Sequence, residues 1–242
     1  MVAIQTHNLT KRYQQTLAVD RLNLEIRRGE LFSLLGLNGA GKTTTVKLLT
    51  CLTAPTEGDA LVEGHSVVTD RSAVTSLIGV SPQETAVAPH LTVRENLELM
   101  AQVYGFSKEK THASLQRLVP QFSLQPVLSQ KAKTLSGGYG RRLSIAMALI
   151  GEPSVLFLDE PTLGLDVMAR RELWEILRSL KGKVTVLLTT HYMEEAAALS
   201  DRIGIMKEGR LVVVGTTEEL MERTGTTTFE DAFVAAVKEG CL

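Results

Sequence analysis

The sequence predicts an α/β fold: a mostly parallel sheet, an N-terminal antiparallel β subdomain, and an inserted α-helical subdomain at about residues 84–150. Three observations carry this. A glycine-rich loop, GLNGAGKT from Gly36 to Thr43, lies between the apolar strand pattern Leu31 to Leu35 and the helical pattern Val46, Leu49. Two continuous apolar runs, one ending at Asp159 and one just before His191, read as strands buried on both faces, which is the mark of a parallel sheet. The block from Leu91 to Ile150 has helical periodicity and little strand signal.

Composition narrows the function classes. The 242 residues are 44% hydrophobic and 22% charged, enough for a sizeable core in one large or two small domains. A net charge of −1 removes any global electrostatic case for nucleic acid. Cys51 and Cys241 lack metal-ligand spacing and suit a reducing compartment, one as a small core residue and the other as a tail thiol. No run approaches the roughly 18 apolar residues that span a bilayer. The opening MVAIQTHNLTKRYQQT lacks a basic region followed by an apolar core. Membrane association is therefore expected through a partner.

Taken in order, Val2 to Asn8 and Leu22 to Ile26 read as half-buried strands joined by a polar connection, KRYQQT. Its one aromatic, Tyr13, could plug a sheet edge or stack on a nucleotide base. The glycine loop matches GxxxxGK[ST] at every required position. Gly36, Gly39 and Gly41, with Leu37, Asn38 and Ala40 between them, can wrap backbone around an anion. The helix N-terminus that follows, with Thr44 in its first turn, favours negative charge. Lys42 adds a cation for the β- and γ-phosphates, and the Thr43 hydroxyl suits Mg²⁺.

Beyond the loop helix, Pro55, Gly58 and Gly64 punctuate a turn-rich region with strands around Ala60 to Val62. IGVSPQ reads as a strand ending at Gln83, either a ligand group or an ordinary loop residue. Thr92 and Glu95 form a capping box for a helix running to Gly105, and a second helix spans about Lys108 to Phe122, closed by Pro126. Ser136, Gly137 and Gly138 open another helix, as an anion-ready terminus or a plain cap with a flexible turn. Asp159 and Glu160 end an apolar run at the edge where α/β sheets bind ligands, on opposite sides of the strand. Asp159 suits Mg²⁺, and Glu160 suits orienting and deprotonating water. The turn TLGLD carries Asp166 into an amphipathic helix, and His191 reaches the same sheet edge. A helix from Met193 to Leu199, strands Ile203 to Met206 and Leu211 to Val214 around a Glu208-Gly209 turn, and a helix from Glu218 follow. The final helix, capped by Thr228 and Asp231, is expected to pack Phe229, Ala232, Phe233, Ala236 and Val237 on its own domain.

In this order GLNGAGKT, the glutamine of SPQ, LSGG, FLDEP, GLD and TTH resemble the nucleotide-binding ATPase subunit of ABC transporters, over nearly the whole chain. The resemblance implies a P-loop NTPase (RecA-like) core, with residues 1–224 as the ATPase domain and 225–242 as a short helical tail. It implies binding and hydrolysis of ATP with Mg²⁺, with Glu160, His191, Lys42 and Gln83 catalytic and Thr43, Gln83 and Asp159 at the metal. Tyr13 then resembles the adenine-stacking aromatic, Gln83 the sensor of a membrane subunit, His191 the γ-phosphate switch, and Asp166 a link across a dimer. Ser136, Gly137 and Gly138 would serve the ATP of a second subunit. Tyr139 stands where the family usually has glutamine, which puts that side chain's contribution in doubt while leaving the Ser136 hydroxyl and Gly138 N–H.

The partners implied are a second ATPase subunit, identical or not, and an integral membrane permease that holds the chain at the cytoplasmic face; no nucleic acid is expected. LTVRENLELMAQVYG, THYMEEAAALSDRIGIM and GRLVVVGTTEEL resemble the exporter-type branch, associated with drug, antibiotic or polysaccharide efflux. One alternative is a soluble ABC ATPase of translation or DNA maintenance, a class that generally carries a second ATPase domain or a long coiled-coil insertion. Another is a nucleotide-gated regulatory module, against which Glu160 and His191 argue.

Overall fold

The computed structural model describes residues 1–239, so the tail thiol Cys241 lies outside the described residues, while Cys51 is a buried free thiol. The N-terminal strands carry alternating residues and pair antiparallel. β1 (Val2–Tyr13) runs well past Asn8, because Asn8 at φ 48° and register shifts break the period-2 pattern without ending the hydrogen bonding. Tyr13 is thus not on a connection: it ends β1 and pairs with Thr16, the first residue of β2 (Thr16–Leu22).

LNLEI is not one strand either. β2 stops at Leu22 and β3 (Glu25–Arg27) pairs with the opposite end of β1. Between them the Thr6 hydroxyl donates to Leu22 O and accepts from Leu24 N–H, both at 2.8 Å, satisfying the backbone where the chain changes over.

β4 (Leu31–Gly36) is buried throughout, as its apolar run requires, and leads through the glycine loop into α1 (Lys42–Leu49). β5 (Glu57–Val62) and β6 (His65–Ser66) complete the first sheet in the order β2-β1-β5-β6, with β3 also on β1. α2 (Arg71–Leu77) occupies the turn-rich region unannounced, because only Val74 of it is buried and no apolar stripe exists to signal it. β7 (Ile78–Ser81) ends at Ser81 rather than Gln83, since Pro82 has no N–H for the ladder.

α3 (Val93–Val103) begins at the Thr92 capping box, with both of its reciprocal bonds formed. α4 (Lys108–Gln121) carries Pro120 in its last turn and ends as the chain turns through Ser123 at φ 52°. Pro126 instead sits in a separate 3₁₀ turn, Gln125–Val127, so it does not close the helix. α5 (Gly137–Ala148), β8 (Val155–Asp159), α6 (Val167–Arg178), β9 (Thr185–Thr190) and α7 (Met193–Leu199) follow. β10 (Arg202–Lys207), β11 (Arg210–Gly215), α8 (Thr217–Thr224) and α9 (Phe229–Glu239) end the described chain.

The second sheet has the order β11-β10-β4-β9-β8-β7, parallel except that β11 runs against β10. Alternation sends Leu156 and Leu158 to one face and Val155 and Phe157 to the other. On the first face they join Leu97, Leu118, Phe122 and Leu143 of the helical block with Leu173 and Leu177 of α6. On the second they join Val46 and Leu48 of α1 and Ile4, Leu9 and Val62 of the N-terminal sheet. Each fully buried Leu or Phe contributes about 1.5–3 kcal/mol of transfer free energy, so these faces fix the sheet against its neighbours. Phe229, Phe233, Ala236 and Val237 of α9 pack with Leu35, Ile203 and Ile205, and Ala232 is buried, so the C-terminal stripe is covered by its own chain. Parallel β4, β8 and β9 therefore deliver the glycine loop, Asp159 and His191 to one edge.

Candidate active site

At that edge a cleft of about 660 Å³ is lined by Asn38 to Thr44, Gln83, Glu160 and His191. Its floor is the glycine loop, and two glycines are sterically obligatory. Gly41 sits at φ 103°, where a Cβ would lie 2.5 Å from Ala18 O; at Gly36 a Cβ would lie 2.6 Å from Met206 O. The loop is braced from outside by Gly209 N–H donating to Ala40 O at 3.0 Å, while Gly209 O accepts from Asp20 N–H at 2.9 Å.

Lys42 is buried, and its Nζ donates to Gly36 O at 2.8 Å and Leu37 O at 3.3 Å, with Glu160 Oε1 at 3.4 Å. The cation is held over the mouth of its own loop. Glu160 also places Oε2 2.8 Å from His191 Nδ1, so one carboxylate bridges the loop lysine and the histidine. Its backbone is in the left-handed region at φ 49°, an arrangement that costs roughly 1–3 kcal/mol. Thr189 holds it there, accepting the Glu160 N–H on both its carbonyl and its hydroxyl, each at 3.1 Å.

The Thr43 hydroxyl donates to Asp159 Oδ1 at 3.2 Å, and the Thr189 hydroxyl donates to the same oxygen. Asp159 and Thr189 face each other in register across β8 and β9, which explains why a strand threonine reaches the carboxylate. Thr43 and Asp159 thus form a hard oxygen pair beside the phosphate cradle. Among the described residues no group of three or more His, Cys, Asp or Glu side chains gathers for a metal. That donor set fits Mg²⁺, which prefers one or two protein oxygens together with phosphate and water.

Gln83 lines the cleft, and its loop is tied down from α5. Arg141, 5% exposed, donates from its two terminal nitrogens to Pro82 O at 2.7 Å and Gln83 O at 2.5 Å. Burial lowers the Arg141 guanidinium from its ordinary range, while the fields of Asp159 and Glu195 oppose that. Arg141 carries no signal of this role in the sequence, because its carbonyl partners lie 58 and 59 residues away. Thr189 within TTH, and the cleft wall of Thr16, Leu17, Ala18, Leu163 and Glu208, are likewise not singled out as site residues by the sequence.

The remaining expected residues lie elsewhere. Ser136, Gly137 and Gly138 are absent from the cleft lining: exposed Ser136 caps α5, with Tyr139 N–H at 3.5 Å. A Cβ at Gly138 would lie 3.0 Å from Ala169 Cβ, so this glycine lets the start of α5 approach α6. The Tyr139 ring packs on its own core under the Arg142 guanidinium, 5.0 Å from the ring centre, and Arg142 pairs with Glu172. Asp166 is exposed and caps α6, accepting from Ala169 N–H at 2.9 Å. Tyr13 is 43% exposed and outside the lining, across the hairpin turn from the Thr16 to Ala18 wall, with Lys11 Nζ 5.0 Å from its ring centre.

A strand, phosphate loop and helix beside an Asp-Glu strand end and a histidine define a nucleoside triphosphatase of the P-loop class. Comparison with known proteins agrees and is narrower. Residues 19–163 match the ABC transporter family. The daunorubicin resistance ATP-binding protein DrrA3 of Streptomyces coeruleorubidus is 43% identical over 224 residues, covering 92% of this chain and 71% of that one. The structure of an ATP binding subunit of an ABC transporter superposes with a TM-score of 0.86 at 28% identity, covering 97% of this chain and 99% of that one. The dimeric bacterial ABC transporter cassette MJ0796 gives 0.79 at 29% identity, covering 88% and 98%, and MJ0796 has also been solved dimeric after hydrolysis with ADP and Pi. The chain belongs to the ABC transporter family and is its ATP-binding, ATP-hydrolysing cassette.

Proposed function

We propose that this cassette works as one of a pair, closing on two ATP molecules to drive a separate membrane-embedded permease in export. The observation that carries the chemistry is Glu160, whose carboxylate bridges Lys42 at 3.4 Å and His191 at 2.8 Å on the rim of the phosphate loop. When ATP enters, Lys42 exchanges its loop carbonyls and Glu160 for the β- and γ-phosphate oxygens. Glu160, freed of the lysine, orients the attacking water and accepts its proton, and His191 holds the carboxylate and meets the γ-phosphate. Thr43 and Asp159, with Gln83, would hold Mg²⁺, which when bound neutralises developing charge on the phosphates.

Pairing is supported by the location of Ser136, Gly137 and Gly138 outside the cleft, by exposed Asp166, and by the dimeric relative. These groups would complete the cleft of a second subunit, while Tyr13 stacks on the base beside the Thr16 to Ala18 wall. Tyr139, held under Arg142, contributes packing rather than a phosphate contact, so its departure from glutamine leaves closure intact. Residues 1–224 form the cassette, with the helical block of about 84–150 and the Gln83 loop facing the permease, and 225–242 a tail.

Among the described residues no helix is long and apolar enough to cross a membrane. The permease is proposed as a separate chain that holds the cassette at the cytoplasmic face. Export rests on the relative named for daunorubicin resistance. Purification of the tagged chain in mild detergent, followed by ATPase assay, tests the reading. A polytopic membrane protein should co-purify and raise Mg²⁺-dependent turnover; turnover that ignores the membrane chain overturns the transport reading.

A further inference from the structure

Glu195 lies one helical turn beyond His191, is completely buried in α7, and has no part in the hydrolytic step above. Its Oε1 accepts from Trp174 Nε1–H at 3.2 Å. The hydroxyls of Thr190 and Thr162 flank the same carboxyl. Among the described residues Glu195 Oε2 and Thr162 Oγ1 are both buried without a completed hydrogen bond. A carboxylate can only accept, whereas a carboxylic acid has one O–H to give. One hydrogen bond between Oε2 and Thr162 Oγ1, given by the Thr162 hydroxyl to a carboxylate or by a protonated carboxyl to Thr162, joins both orphan atoms.

Each of the three partners belongs to an element that carries a working group. Thr162 sits in the turn closed by Leu163 N–H donating to Glu160 O at 3.2 Å and Leu165 N–H donating to Thr162 O at 3.1 Å. The Thr190 hydroxyl accepts Tyr192 N–H at 3.0 Å, bracketing His191 between the two bonded residues. Trp174 stands on α6, the helix that Asp166 caps.

We propose that Glu195 is a positioning residue for hydrolysis, locking the Glu160 turn, the His191 turn and α6 into one arrangement through Thr162, Thr190 and Trp174. Burial raises the Glu195 carboxyl from its ordinary range against the lowering effect of the neighbouring Thr190, Thr162 and Trp174 donors, with the field of Glu160 adding to the rise. Arg141 is the buried cation whose field reaches it. The proposal rests on Glu160 and His191 as the hydrolytic pair.

The test compares Glu195→Gln, which keeps a donor and an acceptor, with Glu195→Leu, which keeps volume and removes both. Glu195→Gln should hold kcat within threefold of wild type; Glu195→Leu should lose at least tenfold in kcat while KM for ATP moves less than threefold. Trp174 is the single tryptophan, so its emission reads the contact directly. The maximum should stay in place for Gln and move to shorter wavelength for Leu, whose indole N–H loses its acceptor. If Glu195→Leu does not fold, Thr190→Val removes the hydroxyl that flanks the Glu195 carboxyl and accepts Tyr192 N–H, and should give the same split of kcat from KM. Wild-type kcat in Glu195→Leu, or in Thr190→Val, overturns the proposal, as does an equal tenfold loss in Glu195→Gln. Glu160→Gln and His191→Ala serve as controls: hydrolysis surviving in both refutes the site assignment, whereas the Trp174 emission still reports on Glu195.

Discussion

Replacing Glu160 by glutamine should slow hydrolysis and tighten ATP binding at the same time. The structure gives the reason for each. Glu160 is the one carboxylate touching both Lys42 and His191, and removal of a general base costs about 10²–10⁴ in rate. The binding effect follows from electrostatics. At 3.4 Å the Lys42–Glu160 attraction is about 5 kcal/mol for an effective dielectric of 20. Desolvation of two buried charges offsets most of this. If about a quarter survives as a net hold on Lys42, freeing the lysine for phosphate gains roughly 1.2 kcal/mol, or about eightfold in Kd. The assay is equilibrium titration of wild type and Glu160→Gln with ATP at protein concentrations that keep both monomeric. Gel filtration with Mg-ATP then reads pairing, where the variant should elute as a dimer. Unchanged or weaker ATP affinity in the variant would refute the charge argument, and persistent monomer with Mg-ATP would refute the pairing.

Lys42→Ala should abolish turnover and weaken ATP binding at least tenfold, because among the described residues no other lysine or arginine lines the cleft; wild-type hydrolysis in that variant would sink the site assignment. Arg141→Ala should speed amide hydrogen exchange around Gln83 and lower kcat with little change in nucleotide affinity, since it removes both anchors of that loop and touches none of the glycine loop. Arg141→Lys should restore only part, as an ammonium lacks the fork that spans two carbonyls. Thermal unfolding checks Glu195: its acid is raised in the folded state, so the stability it contributes is complete below its ordinary value of 4.5 and declines as pH rises toward the folded value. Relative to wild type, Glu195→Gln should therefore gain Tm between pH 5 and pH 8, and a constant Tm difference would argue for a charged Glu195.

Much of the site can be seen in the sequence because its main groups sit on contiguous motifs. GLNGAGKT is a strand, loop and helix start within one short stretch, and its glycine requirement is local backbone geometry, now visible as the Gly36 and Gly41 clearances. Apolar runs ending in Asp159 and before His191 announced buried parallel strands because burial on both faces leaves no alternation. Errors fell where local patterns mislead. The bulged β1 loses its period without losing its hydrogen bonds, so Tyr13 reads as part of a connection; Pro126 reads as a stop that Ser123 and its left-handed turn make.

By itself, then, the sequence determined the order of the elements, the phosphate cradle and the chemical types gathered around it. Those depend on neighbours along the chain, through periodicity, backbone permissiveness and the ends of apolar runs. Only the tertiary structure decided that Glu160 bridges Lys42 and His191, that Thr189 secures both Asp159 and Glu160, and that Arg141 ties α5 to the Gln83 loop. The same holds for Glu195, a glutamate of a short helix that folding places beside Trp174 with no exposure at all. Such contacts arise between strands and helices far apart in sequence, where distance and burial are set by how the layers pack rather than by any local pattern.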